Sequence, residues 1–204
     1  MKTFLTIVLF IVVTTSFPKK GFTTDLTDTE KKGIQLMREE EKLAHDVYQV
    51  LYKKWELPVF NNISNSEARH IDAVGSLIDN FGLKDPIINQ AGKFQNKELT
   101  DLYKTLTKKG SKSLIAALEV GAFIEEIDIQ DLQDLIDQTS NETIQMVYGN
   151  LLRASGNHLR AFTGQLSARS NDYVPQVLTE KQFRAILDTP PSGRNGKWKP
   201  WVAK

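Results

Sequence analysis

Five ionisable residues, Glu41, Glu67, His70, Glu125 and His158, set the chemistry this chain could support. Glu67 and His70 stand at i and i+3, so on a helix they share a face and can reach one ion. Carboxylate oxygen with imidazole nitrogen suits iron, manganese or zinc. The chain has no cysteine, which excludes disulfides, thiol nucleophiles, zinc knuckles and any sulfur-ligated iron of its own. Each residue taken singly has a plainer reading. A lone Glu-x-x-His is common by chance, Glu41 lies in the charged run Glu39-Glu40-Glu41-Lys42 that would ordinarily be a solvated face, and a core histidine such as His158 is more often hydrogen-bonded than metal-bound.

Stepping from these residues to the elements around them changes the balance. Apolar residues spaced alternately by three and four predict helices with one buried stripe. The first helix gives Met37, Glu41, Ala44, Tyr48 and Leu51. The second gives Phe60, Ile63, Glu67, His70, Val74, Leu77 and Phe81. The third gives Leu118, Ala122, Glu125, Ile129, Leu132 and Ile136, and the fourth Ile144, Tyr148, Leu151, Ser155, His158 and Phe162. Every stripe is interrupted by a polar residue at mid-length. Burying a lone carboxylate costs several kcal/mol or forces it to take up a proton. Three glutamates and two histidines at one level of a core therefore need a shared partner, and a divalent cation is the simplest. His45 falls off the stripe and reads as a surface residue.

Local signals bound these helices. Thr27-x-x-Glu30 is a capping box that opens a helix reaching about Trp55. Pro58 breaks the chain, and a second helix runs to Phe81, stopped by Gly82. Asp85-Pro86 and Gly92 mark a long connection, followed by a short helix from Lys97 to Lys109 closed by Gly110. Ser111 is the expected cap of a third long helix to about Gln138. Ser140-Asn141 caps a fourth to about Ala168, Tyr173 to Val177 is a loop, and Thr179 to Leu187 a short terminal helix. With no convincing strand run, four helices of about 22 to 30 residues predict an all-α four-helix bundle.

Composition adds bounds. The chain has 204 residues, a formal charge of +1 and 40% hydrophobic residues: enough for one core, with no basic field to favour nucleic acid. Lys2, the apolar run Phe4 to Val13 and Thr14-Thr15-Ser16 read as a signal peptide over residues 1–17, or as an uncleaved N-terminal anchor. Either places the body outside the cytoplasm, in the periplasm, on the cell surface or in the medium. The expected domain spans 26–187. Residues 189–204 carry four basic residues, no acids, and Trp198 and Trp201. They read as a flexible tail that either stays disordered or docks on an anionic surface.

The stripe residues resemble the ferritin-like superfamily. Glu41 with Ala44 and Tyr48 looks like the Glu-x-x-Ala-x-x-x-Tyr of the first helix in ferritins and bacterioferritins, and Ser66-Glu67-Ala68-Arg69-His70 like the second-helix Glu-x-x-His. The closest likeness is to a prokaryotic ferritin-like family catalogued as a domain of unknown function. Arg38 to Ala44, Glu125 to Asp128 and Asn157 to Phe162 carry it, and it covers roughly Leu26 to Leu187. Such proteins place one Glu on each of two helices and Glu-x-x-His on each of the other two. This chain departs on its fourth helix, where Ser155 stands three residues before His158 in place of a glutamate. Asp128, one turn from Glu125, is the substitute on offer.

The resemblance implies a non-haem carboxylate protein holding two divalent ions, iron first, with manganese or zinc as alternatives. One half-site would be Glu41, Glu67 and His70. The other would be Glu125 and His158 with Asp128, a carboxylate bridging the two. Tyr48 and Tyr148 are candidate hydrogen-bond donors behind the ligands, or plain core packing. The implied activity is a ferroxidase- or peroxidase-type oxidoreductase or iron handling, with O₂, peroxide or Fe(II) as small substrates and a homodimer as a candidate assembly. The alternative is a non-catalytic exported bundle that binds one metal or a protein partner.

Overall fold

The computed structural model describes residues 25–189, which form six helices and, among the described residues, no strand. They are α1 (Asp28–Trp55), α2 (Pro58–Asn80), α3 (Lys97–Gly110), α4 (Leu114–Asp137), α5 (Glu142–Ser167) and α6 (Glu180–Asp188). The apolar N-terminal run and the basic tail, expected as leader and flexible tail, lie outside the described residues.

Caps fix most of the boundaries. Thr27 and Glu30 form the expected reciprocal capping box, with Glu30 N–H donating to Thr27 Oγ1 at 3.1 Å and Thr27 N–H to Glu30 Oε2 at 2.8 Å. Pro58 occupies the first turn of α2, where its missing N–H costs nothing. Only Glu56 and Leu57 join α1 to α2, and Glu56 takes a left-handed φ of 51° to make the turn. One boundary differs from expectation. Ser113, not Ser111, caps α4, accepting from Ala116 N–H at 3.0 Å. Ser111 ends α3 instead, its N–H returning to Thr107 O. Either serine can cap a helix, and the chain needs Ser111 and Lys112 to turn the corner.

Contacts along the helices give their directions. Glu41 faces His70 and Gln49 faces Ser64, so α1 and α2 are antiparallel. Gly33 lies against Leu135 and Tyr48 against Gly121, so α4 also runs against α1. Phe60 meets Phe162 and Glu67 meets His158, which sets α5 against α2. The four long helices thus run up, down, down, up around one core. The α2–α4 connection crosses the molecule by way of α3, and α6 rests on α5.

The stripes read from periodicity line this core. Met37, Ala44, Tyr48, Leu51, Phe60, Val74, Leu118, Ala122, Ile129, Leu132 and Phe162 are sealed from solvent, while Phe81 and Ile136 at the helix ends are half-buried. Below the mid-level acids, the rings of Tyr48, Phe60 and Phe162 pack with centroids 5.3 to 6.5 Å apart. Gly121 has no side chain because a Cβ there would strike the Phe162 ring.

The run Arg38 to Lys42 is not the solvated face that its composition suggests: Glu39, Glu40, Glu41 and Lys42 are all buried. The connection at 83–96 covers Arg38, Glu39 and Lys42, while Glu41 faces the core. Arg38 pairs with Asp85 at 2.8 Å, and Glu39 accepts the N–H groups of Gln95 and Asn96 at the start of α3. Lys42 reaches Asp46 at 2.5 Å and Gln90 O at 3.1 Å, with its ammonium 4.6 Å from the Phe94 ring centroid. His45 is likewise half-buried rather than on the surface, its Nδ1 3.1 Å from Asp46 Oδ1.

Candidate metal centre

At mid-height the four helices bring together the five residues marked by their spacing. α1 contributes Glu41, α2 Glu67 and His70, α4 Glu125, and α5 His158. The three glutamates are 0 to 1% exposed and His158 is 8% exposed, so these are core side chains and not a surface acidic patch. His70 Nδ1 lies 2.6 Å from Glu67 Oε2 and 3.2 Å from Glu41 Oε2. His158 Nδ1 lies 2.9 Å from Glu67 Oε1 and 3.4 Å from Glu125 Oε2. The two imidazoles stack with centroids 5.7 Å apart. Two ligand groups result, Glu41/Glu67/His70 and Glu67/Glu125/His158, each with its donor atoms within 4.8 Å of one another. Glu67 belongs to both, through one oxygen each.

Whether these donors suit a cation can be judged from what they lack. Glu41 Oε1 is buried without a hydrogen-bond partner, and Glu67 Oε1, Glu125 Oε2 and His158 Nδ1, buried without a well-aligned hydrogen bond, meet only one another as the charge pairs just given. Buried polar atoms are ordinarily satisfied by hydrogen bonds, and four that converge on one place without one could share a cation. Metal–ligand bonds of about 2.0–2.2 Å hold neighbouring donors roughly 3 Å apart, close to the 2.6–3.4 Å found here. The donor set could hold a metal ion.

Without a cation, protons balance the charge. Burial opposes a charged imidazole, but Glu41 and Glu67 outweigh it and push His70 up to about 11. Glu67 and Glu125 likewise push His158 up to about 10. Burial would raise Glu67 too, yet the facing His158 and His70 hold its carboxyl well below the ordinary range. Glu41 is raised by burial to about 7, His70 offsetting part of the effect. Burial also raises Glu125, against the pull of His158.

The remaining predicted residues divide. The Tyr48 hydroxyl donates to Glu125 Oε1 at 2.6 Å and fixes that carboxylate. The Tyr148 hydroxyl has no hydrogen-bond partner, and its buried ring fits the core-packing alternative. Ser155 is buried on the core stripe, but its hydroxyl donates back to Leu151 O at 3.2 Å. Asp128 is 3% exposed and belongs to neither ligand group. It is close enough that burial, then the charges of Glu41 and Glu125, drive its carboxyl well above the usual range.

Sequence reasoning assigned no role to Glu126. It turns about 100° from Glu125 and accepts the N–H groups of Gln176 and Leu178 at 2.9 and 3.1 Å and the Tyr173 hydroxyl at 2.6 Å. It anchors the loop before α6. Its adjacency to Glu125 in a helix that buries both faces was the available signal.

Fold and site together define an all-helical protein with a buried carboxylate–histidine cluster able to hold metal. The chain belongs to the family described as the uncharacterized protein domain DUF2202, whose profile matches residues 30–190. It is 44% identical over 175 residues to the uncharacterized protein MJ0754 of Methanocaldococcus jannaschii, covering 85% of this chain and 92% of that protein. It is also similar to the crystal structure of hypothetical protein MJ0754 from Methanococcus jannaschii, with a TM-score of 0.81 and 43% identity over 87% of this chain and 99% of that one. Membership of a domain-of-unknown-function family, expected from Arg38–Ala44, Glu125–Asp128 and Asn157–Phe162, is thus met.

Proposed function

We propose that this chain is a ferritin-like four-helix carboxylate protein holding two divalent ions, iron first, and acting on O₂, peroxide or Fe(II) as a ferroxidase- or peroxidase-type oxidoreductase. The observation that carries the reading is Glu67, whose two oxygens face two separate Glu/His groups with unpartnered donors on each. A bridging carboxylate between two three-ligand groups is the arrangement of two-metal carboxylate proteins. The up-down-down-up course of the long helices, with one long crossover, supports the ferritin-like assignment. Manganese or zinc satisfies the same donors, and the oxidant-facing chemistry selects iron among them.

When bound, the ions supply electrons and open coordination positions for the small substrate. The chain does the rest. Glu67 spans both positions, and His70 and His158 present Nδ1 inward. Tyr48 holds Glu125 in place, and the Tyr48/Phe60/Phe162 layer closes one side of the site to water. The imidazoles of His70 and His158 keep 12% and 11% of their side-chain surface exposed, so the cluster is not fully sealed on their side. The apolar N-terminal run supports an exported protein. A homodimer, and contact of the basic tail with an anionic surface, are compatible partners.

A second reading, a non-catalytic exported bundle that binds one metal or a protein partner, draws on Ser155. The back-bonded serine leaves α5 without a carboxylate ligand. Metal analysis of native protein, then anaerobic Fe(II) titration and exposure to O₂, decides between them. Two irons per chain with catalytic oxygen consumption supports the first; one retained metal without turnover supports the second. No binding of any first-row divalent ion removes both metal readings.

A further inference from the structure

Away from the metal centre, α5, the loop 171–175 and α6 wall a cleft of about 720 Å³, a volume usual for sites that hold small molecules. Arg160 and Gly164 line it from α5, Tyr173 and Val174 from the loop, and Phe183 and Leu187 from α6. Arg160 lies about 200° around α5 from His158, so the cleft opens away from the ligand cluster. Its α5 side is bare: a Cβ at Gly164 would meet no atom within 4 Å. Its loop side is firm. The Tyr173 hydroxyl donates to Glu126 at 2.6 Å, and the Tyr173 ring packs on Phe183 with centroids 5.8 Å apart. Val174 beside it is 73% exposed. A fixed aromatic and aliphatic wall thus faces an unfilled floor, which suits an apolar ligand body.

Arg160 supplies the polar end. Its guanidinium is half-buried and carries five N–H donors. One Nη donates to Ile186 O at 2.6 Å and the other to Asn157 Oδ1, both neutral acceptors, while the buried Nε donates to nothing. Two acids also line the cleft, and neither offsets this charge: burial alone acts on it. Glu180 is paired with Arg184 at 2.7 Å, and Asp172 is exposed on the loop. A half-buried cation without a counter-charge is costly to keep. Nη–H donors left over from Ile186 and Asn157 can hold a carboxylate through charge-assisted hydrogen bonds.

We infer that the α5/α6 cleft binds a small apolar monocarboxylate, its acid group on Arg160 and its body over Gly164 against Tyr173, Val174, Phe183 and Leu187. No residue of the metal centre lines the cleft, so the inference stands or falls separately from the metal reading.

The test titrates the full chain calorimetrically with phenylbutyrate, and with phenylbutanol as its uncharged match. One phenylbutyrate per chain should bind with a Kd of about 1 mM or tighter. The alcohol should bind at least about tenfold more weakly, because it forgoes the charge-assisted bonds. Gly164→Leu fills the floor from a position where a Cβ strikes nothing, and should weaken binding at least about tenfold with unchanged helix content by circular dichroism. Val174→Asp, at a site too exposed to govern folding, sets a like charge beside the ligand and should weaken it as well; it keeps the test readable if Gly164→Leu folds poorly. Equal affinity for acid and alcohol, binding untouched by either substitution, or no saturable binding overturns the inference. So does binding that appears only once residues 190–204 are cut away, which would make the chain's own tail the occupant, or phenylbutyrate competing with dimerisation, which would make it a second copy.

Discussion

Metal binding at this centre should release about two to three protons per chain near neutral pH. Both histidines present Nδ1 to carboxylates, and both hold their protons far past neutrality, His70 to about 11 and His158 to about 10. A ligating nitrogen must be bare, so two metals displace two protons from imidazoles alone. Glu41, at about 7, carries roughly half a proton more. The log of the overall two-metal constant should therefore rise by about two to three per pH unit, so lowering pH from 7 to 6 should cost at least about a hundredfold overall, or about tenfold per ion. Calorimetric titration with Co(II) or Mn(II) in buffers of differing ionisation enthalpy reads the proton count directly. The metal-free protein should show the converse. Histidines raised above their unfolded value near 6.5 stabilise fully below that pH. That stabilisation is lost as pH rises toward about 10 to 11, at about 1.4 kcal/mol per pH unit for each proton. Fewer than one proton released, or affinity flat between pH 6 and 8, would refute the assignment of Nδ1 of both histidines as ligands.

Glu67→Ala should abolish tight binding at both positions, since both groups share that residue, and titration should show at least about a hundredfold loss; one retained tight site would sink the bridging role. Ser155→Glu should add the carboxylate that α5 lacks and bring iron binding nearer two per chain, read by the same titration. Two equal tight sites in the unaltered protein would show that the serine does not matter. Tyr48→Phe leaves Glu125 Oε1 without its 2.6 Å donor, so metal-free stability should fall by roughly 1–3 kcal/mol in denaturant unfolding. An unchanged midpoint would show that the hydroxyl supports nothing in the folded chain.

The stripe at a spacing of three and four made the ligands legible, because on a helix that spacing fixes which side chains face inward whatever the connections do. Glu41, Glu67, Glu125 and His158 share that property with Met37, Val74 and Ile129, and only their chemistry differs. The capping box at Thr27 was legible for a similar reason: donor and acceptor lie three residues apart in the chain. The second box, Thr179 with Gln182, has the same spacing but was read only as a helix start. Ser113 was not, since Ser111 offers the same hydroxyl two residues earlier and the choice depends on how α3 hands the chain to α4. Tyr148 sits on the predicted inner stripe, but at a level where α1 presents Glu40 rather than Glu41, and periodicity does not report level across helices.

What periodicity missed has a common physical form. A residue one position along a helix points about 100° away, so the neighbour of a core residue faces the next layer rather than open water whenever something covers that layer. Here the connection at 83–96 covers α1 and the loop at 173–178 covers the outer face of α4. Glu39 and Glu126 are the acids that receive them, each accepting backbone N–H groups from the covering segment. Nothing in a polar run distinguishes an acid that will be covered from one that will stay wet, because the covering segments have irregular paths with no period to read. The two helices therefore use the same residue type for two purposes at adjacent faces. Glu41 and Glu125 turn inward, where they face His70 and His158 in groups that could hold a cation. Glu39 and Glu126 turn outward, where backbone donors already answer them. Hydrogen-bond satisfaction separates the two roles.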